Sequence, residues 1–352
     1  MSHDDIALVR GLVEIPSLSR QEGDAVEWLV QRMADRGFAA SVDDAGNAVG
    51  EIGSGRRHLV LLGHIDTVSG DIPVRIEDGV LVGRGAVDAK GPLAAFICAA
   101  TEPPPGLRVT VVGAVEEESP TSAGARYRAT LPAPDWCVIG EPSGWDGVTI
   151  GYKGRLVLRV VLTRAARHGA APGPTASEEA LALWGRFRDA AAARGGVGPE
   201  RLDCRLEGMT GGPGDGLQER AELLVGYRLP PAIATADLEA EVREIARGLG
   251  GEAAVSVTRV AAEEPVRTAR TTPVAQAFAR AIARTGGQVA FKTKSGTSDM
   301  NVLAPAWRCP MVAYGPGDSS YDHTPMERLP LDEYRRSIAL LKDVLGALAA
   351  IP

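Results

Sequence analysis

The sequence predicts an α/β protein of two domains: a sheet flanked by helices and assembled from both ends of the chain, with a smaller α+β domain inserted between them. Three observations predict it. The chain is 352 residues long, more than one hydrophobic core usually holds. Apolar β-branched runs alternate with helix-spaced apolar residues near both ends. The texture then changes after Gly151-Tyr152-Lys153-Gly154.

The N-terminal elements are two helices. Ile6, Val9, Leu12 and Val13, then Val26, Leu29, Val30 and Met33, recur at helical spacing, and Ile15-Pro16-Ser17 separates the two sets because proline cannot continue the first helix. Strand-like runs follow at Leu59-Val60-Leu61-Leu62, Val109-Thr110-Val111-Val112 and Trp136-Cys137-Val138-Ile139, with a helical stretch near Leu93 to Ala100 between the first two. Runs without alternation suit strands buried on both faces.

Beyond Gly154 the pattern is a strand at Leu156 to Leu162, a helix from about Ser177 to Ala193, a strand at Glu222 to Leu229, a helix at Leu238 to Leu249 and a strand at Ala253 to Val260. This order suits a small insert with helices on one sheet face. From about Pro265 the α/β texture resumes, with a helix at Val274 to Arg284, a strand at Met311 to Tyr314 and a closing helix at Leu331 to Leu348. The resulting boundaries are 1–152 with 266–352 for the two-ended domain and 153–265 for the insert. Gly211 to Gly216 is glycine-rich but too short for a low-complexity segment.

Composition narrows the function classes. Hydrophobic residues make up 45% and charged residues 24%, ordinary for a globular protein. No run approaches the roughly 18 apolar residues of a membrane helix. The acidic start Met1-Ser2-His3-Asp4-Asp5 is unlike a signal peptide's basic start and apolar middle, so a cytoplasmic location is expected. A net charge of -7 argues against a general nucleic-acid binder. Cys98, Cys137, Cys204 and Cys309 lack metal-ligand spacing and read as structural thiols.

Five elements carry the chemistry. His64 lies in Leu61-Leu62-Gly63-His64-Ile65-Asp66-Thr67, just past an apolar strand, where sheet ends present functional groups. In an extended segment Asp66 points the same way as His64 and can orient its ring. Gly83-Arg84-Gly85-Ala86-Val87-Asp88-Ala89-Lys90-Gly91 sets a carboxylate in a glycine loop before a helix, without the ending of a P-loop or the spacing of a dinucleotide fingerprint. Glu116-Glu117-Glu118 follows a strand ending at Ala114, and three adjacent carboxylates repel one another unless cations are present. Ile139-Gly140-Glu141-Pro142-Ser143 and Tyr321-Asp322-His323-Thr324-Pro325 complete the set. A solvated charge run or a capped loop histidine accounts for any one element alone. Taken together, two histidines and three carboxylates suit a pair of divalent zinc-class ions, one carboxylate bridging them, with a further carboxylate left for proton transfer.

In this order and spacing the elements resemble the M20 family of metallopeptidases and deacylases, over nearly the whole chain. The resemblance implies that His64 and Glu141 hold one metal, Glu118 and His323 the other, and that Asp88 bridges them while Asp66 orients His64. Zinc is the metal expected, with cobalt as a substitute. The family's Asp-Glu-Glu triplet appears as Glu116-Glu117-Glu118, which makes Glu117 the acid/base residue; the alternative register has Glu116 as base and Glu117 as ligand. The family often carries a cis peptide after the bridging aspartate, here Asp88–Ala89. Arg167-His168-Gly169-Ala170-Ala171-Pro172 resembles its lid histidine, which would reach the active site of a second subunit and polarise the scissile carbonyl. That implies a homodimer paired through the insert, residues about 155 to 265.

Gly140-Glu141-Pro142-Ser143-Gly144-Trp145 through Gly151-Tyr152-Lys153-Gly154-Arg155, and Ser295-Gly296-Thr297-Ser298-Asp299-Met300-Asn301, resemble the LysK branch. Its members release lysine or ornithine from the amino-carrier protein LysW, late in carrier-dependent lysine or arginine biosynthesis. The bond cleaved joins the amino acid's α-amino group to the side-chain carboxyl of the carrier's terminal glutamate. The expected substrate-binding residues are Ser295, Gly296, Thr297 and Asp299, with Asp299 near the cationic side chain; alternatively Asp299 caps a helix starting at Met300. An acidic carrier tail calls for cations at the cleft mouth, and Lys153, Arg155, Arg164, Arg167, Lys292 and Lys294 are candidates, with Arg267 or Arg270 for a carboxylate. The competing functions are a deacylase of N-acetylornithine type and a catalytically silent binding protein that kept the fold.

Overall fold

The computed structural model describes residues 3–249 and 253–351; Met1 and Ser2, which open the acidic N-terminal stretch, lie outside them. The chain forms two compact units, one of Met1–Gly151, Thr268–Thr293 and Ser298–Pro352, the other of Tyr152–Arg267 and Lys294–Thr297.

The first unit opens with α1 (His3–Glu14) and α2 (Gly23–Ala34), followed by β1 (Ala39–Val42), β2 (Ala48–Gly53), β3 (Arg57–His64), β4 (Arg75–Glu77) and β5 (Val80–Val82). Next come α3 (Lys90–Ala100), β6 (Leu107–Ala114), α4 (Ala123–Ala129), β7 (Trp136–Gly140) and β8 (Gly147–Tyr152). The second unit supplies β9 (Gly154–Ala165), α5 (Ala176–Ala193), β10 (Asp203–Pro213), β11 (Gln218–Leu229), α6 (Thr235–Arg247), β12 (Ala254–Glu263) and β13 (Val266–Arg267). The chain closes with α7 (Pro273–Arg284), β14 (Ala290–Lys294), α8 (Asp299–Trp307), β15 (Met311–Tyr314), β16 (Arg328–Pro330) and α9 (Leu331–Ala349).

The main sheet runs β1-β2-β6-β3-β7-β15-β8, with β14 also paired to β8. It is mixed: β3 pairs parallel with β6 and β7, and β15 parallel with β7, whereas β1–β2 and β2–β6 are antiparallel. Its central strands are buried on both faces, which is why Leu59 to Leu62 and Val109 to Val112 read as continuous apolar runs. Every residue of α3 is buried, so that helix has no polar face. A Cβ on Gly140 would come within 3.0 Å of Gly63 Cα and of Phe96, so glycine lets β3, β7 and α3 approach closely just before His64 and Glu141. The carboxyl ends of the parallel strands β3, β6 and β7 all lie on one edge, and His64, Glu116 to Glu118 and Glu141 follow from them. A small sheet, β16-β5-β4, precedes the Asp88 loop and follows the His323 loop.

The second unit is a four-stranded antiparallel sheet, β10-β11-β9-β12. Leu156, Leu158, Val160 and Leu162 alternate along β9 into a separate core with Leu183 and Phe187 of α5 and Leu238 and Val242 of α6. Sequence alternation predicts three strands here; β10 is the addition. It is an edge strand with a register shift between Leu206 and Gly208, and its charges and glycines break the hydrophobic alternation. The short β1, β4 and β5 have no buried face long enough to leave a pattern in the sequence. Among the described residues no helix is long and apolar enough to cross a membrane.

Candidate metal centre

Asp88 sits between two histidines. Its Oδ1 lies 3.2 Å from His64 Nε2 and its Oδ2 lies 3.0 Å from His323 Nε2. His323 Nε2 also lies 2.9 Å from Glu118 Oε1. The ligand atoms of His64, Glu117 and Glu118, and those of Asp88, Glu118 and His323, each fall within 4.8 Å of one another. A carboxylate that turns one oxygen to each of two imidazoles has the geometry of a bridge, and nitrogen with carboxylate donors is a zinc-class set, so the residues fit a pair of divalent cations. Glu141 is buried at the end of β7 and enters neither group, but its charge acts on both Glu117 and Asp299. The Asp88–Ala89 peptide is cis, the isomer the family resemblance led us to expect.

The electrostatics point the same way. Burial opposes ionisation of Asp88, yet hydrogen bonds and charge from His323 and His64 hold its carboxyl below the ordinary value. Hydrogen bonds to Asp88 and Glu118 raise His323 to about 10. Burial works to lower His64, but hydrogen bonds to Asp66 and Asp88 and the charge of Glu117 lift it well above its usual value. Burial raises Glu117, and Asp299, Glu141 and Glu118 add to the rise against the pull of His64. So dense a group of carboxylates is where cations supply the compensating charge.

Neighbouring side chains hold these groups in place. Asp66 is buried; its Oδ1 accepts the Glu117 amide at 3.1 Å, and its Oδ2 accepts the Glu118 amide at 3.0 Å and Ser19 Oγ at 2.6 Å. His64 Nδ1 lies 2.9 Å from the Asp66 carbonyl oxygen, and donation there leaves the Nε2 lone pair for a cation. Glu22 accepts the Glu116 amide at 3.0 Å. Glu116 has φ 62°, and its carboxylate is taken up by Arg20, Ser119 and Thr121. Ser19 and Glu22 carry no sequence signal beyond their place between two helices; only the fold brings them to β3 and β6.

Asp299 is the first residue of α8, one position earlier than the helix start expected from sequence. Ser298 is the cap: its Oγ accepts the Met300 amide at 3.2 Å, and Asn301 Oδ1 accepts the Ser298 amide at 2.9 Å. This overturns the capping alternative for Asp299, which is 2% exposed and has neither carboxylate oxygen hydrogen-bonded among the described residues. Burial, with the charges of Asp66 and Glu141, pushes its carboxyl up to about 8 against the pull of His64.

Ser295, Gly296 and Thr297 follow β14 and fall in the second unit, and Thr297 Oγ1 accepts from Arg228 at 3.5 Å. His168 lies in the exposed loop between β9 and α5, its Nδ1 accepting the Ala170 amide at 3.2 Å. Arg167 braces that loop by donating to Pro172 O at 2.9 Å and Pro174 O at 2.6 Å.

Two of the cations expected at the cleft mouth are buried instead. Lys153 is buried and donates to Asp203 at 2.7 Å and Arg201 O at 2.5 Å, and Arg164 is buried against Pro174 O and Glu179. Both brace the second unit, because a charge taken out of water needs a fixed partner. Lys292 donates to Ser143 O at 2.6 Å, Arg267 pairs with Glu200, and Arg270 lies over the Phe291 ring at 5.4 Å.

Comparison with known proteins shows the family. The family model described as peptidase family M20/M25/M40 matches residues 60–347. A LysW-lysine hydrolase of Deinococcus radiodurans is 47% identical over 352 residues, covering 97% of this chain and 96% of its own. A protein of Thermococcus kodakarensis named putative LysW-lysine/LysW-ornithine hydrolase is 39% identical over 348 residues, covering 99% of this chain and 93% of its own. A dinuclear metal-binding M20 peptidase of Bacillus subtilis has the same fold, with a TM-score of 0.75 at 16% identity over 99% of this chain and 98% of that one. By sequence match over most of its length, this chain belongs to peptidase family M20/M25/M40.

Proposed function

We propose that this protein hydrolyses the amide bond between the α-amino group of lysine or ornithine and the side-chain carboxyl of the terminal glutamate of LysW. The observation that carries the chemistry is the Asp88 carboxylate, with one oxygen toward His64 and the other toward His323. The choice of substrate is supported by 47% identity to the Deinococcus radiodurans LysW-lysine hydrolase over nearly the full chain.

In this reading His64 and Glu141 would hold one divalent ion, Glu118 and His323 the other, with Asp88 shared between them, and zinc would be the metal with cobalt as a substitute. A bound pair of such ions supplies Lewis acidity and a water of lowered pKa. Glu117 takes the proton from the attacking water and returns it to the leaving α-amine. Its burial beside Glu118 and Glu141, which raises its proton affinity, suits it to that exchange. His168 of a partner subunit donates to the developing oxyanion, a contribution of about 3 to 4 kcal/mol per donor in comparable systems.

Ser295, Gly296, Thr297 and Asp299 contact the bound amino acid, and the buried carboxyl of Asp299 meets its ammonium group. The protein acts as a cytoplasmic homodimer paired through residues 153–265, the lid and dimerisation domain, with catalysis in 1–152 and 266–352.

The test is release of free lysine and ornithine from carrier-linked and N-acetylated forms, side by side, with and without zinc or cobalt. Metal-dependent release from the carrier-linked forms alone supports the proposal. Release only from N-acetylated substrate makes this a small-molecule deacylase, and none from either makes it a silent relative.

A further inference from the structure

Glu327, absent from the sequence-derived site, is 1% exposed, and its contacts lead to the Asp88 loop and, through Arg84, to the residue after His323. Its Oε1 accepts the amides of Val87 and Asp88, each at 3.1 Å, so it fixes the main chain of the residue whose carboxylate is shared. Its Oε2 accepts from Arg84 Nη1 at 2.7 Å, in a pair whose arginine side chain is only 13% exposed. The same Nη1 lies 3.3 Å from Thr324 O, the residue after His323, and Arg84 Nε donates to Gly70 O at 3.0 Å. His323 has φ 60°, a left-handed conformation that a non-glycine residue holds only when its surroundings impose it. The pairing of β16 with β5 sets Glu327 opposite Gly83, whose amide bonds to Glu327 O at 3.4 Å.

A buried ion pair of this kind adds little net stability over a packed apolar pair, whereas its fixed geometry ties the groups it touches to one arrangement. We propose that Arg84 and Glu327 are positioning residues forming a strut between the Asp88 and His323 loops, which sets the affinity of the ion held by Glu118 and His323. The inference rests on the two-metal reading above. Arg84 is suited to the task because its rigid planar fork sets Nη1 against Glu327 and Thr324 and Nε against Gly70, whereas a lysine gathers its donors on one nitrogen.

The test counts metal per chain after dialysis of holoenzyme against graded chelator, for wild type, Glu327→Gln and Arg84→Lys. Glu327→Gln keeps an acceptor for the two amides and removes the ion pair; Arg84→Lys keeps the ion pair and loses the fork. Both variants are expected to lose one of the two ions about 10- to 100-fold more readily than wild type while retaining the other. With cobalt, the absorption band of the weakened site changes while that of the retained site stays. A purely structural role would lower the melting temperature and leave the relative retention of the two ions unchanged, and that result overturns the strut. If Glu327→Gln fails to fold, Arg84→Lys carries the same comparison. Wild type with two ions and variants that match it remove the strut alone; wild type with no bound ions removes the two-metal reading and the strut together.

Discussion

Asp66 and Glu118 are joined by a 3.0 Å hydrogen bond from the Glu118 amide to Asp66 Oδ2, and the other oxygen of the same carboxylate takes the Glu117 amide at 3.1 Å. The residue beside His64 therefore also sets the turn that carries Glu117 and Glu118. Asp66→Ala is expected to lower metal affinity by about 10- to 100-fold, measured by competition with a chromophoric chelator. Wild-type affinity in the variant would mean that the turn holds itself without Asp66.

The proton-transfer role separates two adjacent glutamates. Glu117→Gln is expected to retain its metals and lose turnover by roughly two to four orders of magnitude, as for removal of a general base. Glu116→Gln should stay close to wild type, because that carboxylate is occupied by Arg20, Ser119 and Thr121. Turnover and metal content of both variants decide the register; the reverse pattern moves the base to Glu116.

The assignment of His168 to a partner's site is open to complementation. His168→Ala and Glu117→Gln proteins should each be nearly inactive. Mixed at random as dimers, they should recover about a quarter of wild-type activity, since half the dimers are mixed and each has one intact site. A mixture as inactive as its parents would place His168 in the site of its own subunit.

Acid stability has a distinct source in His58, whose Nε2 lies 2.9 Å from Thr110 Oγ1. Burial, reinforced by the charge of Arg108, lowers this histidine from 6.5 to about 4. Between those values the unfolded chain binds the proton and the folded one does not. The stabilising contribution of neutral His58 is thus present above pH 6.5 and lost as pH falls toward about 4. Melting temperature against pH should fall across that window, and less steeply in His58→Gln. An equal slope in the variant would place the acid sensitivity elsewhere.

Elements whose signals are local are legible in the sequence. Helix-spaced apolar residues mark α1, α2, α7 and α9, and uninterrupted apolar runs mark β3, β6 and β7, because periodicity and burial on both faces leave their record within a few residues. His64, Asp88, Glu117, Glu118 and His323 stood out for the same reason: a strand end or glycine loop next to a ligand-type side chain is visible in a short window.

Which of these groups meet, and what holds them, depends on the assembled fold. Asp88 and His323 are brought together from opposite ends of the chain, and the Arg84–Glu327 pair that braces them joins residues with no shared local pattern. Ser19 and Glu22 reach Asp66 and Glu116 only because the link between α1 and α2 packs beside the ends of β3 and β6. Burial turned Lys153 and Arg164 inward, although each reads in sequence as an ordinary surface cation. Sheet register and the desolvation of charged groups are properties of the assembled fold, and a window of sequence contains neither.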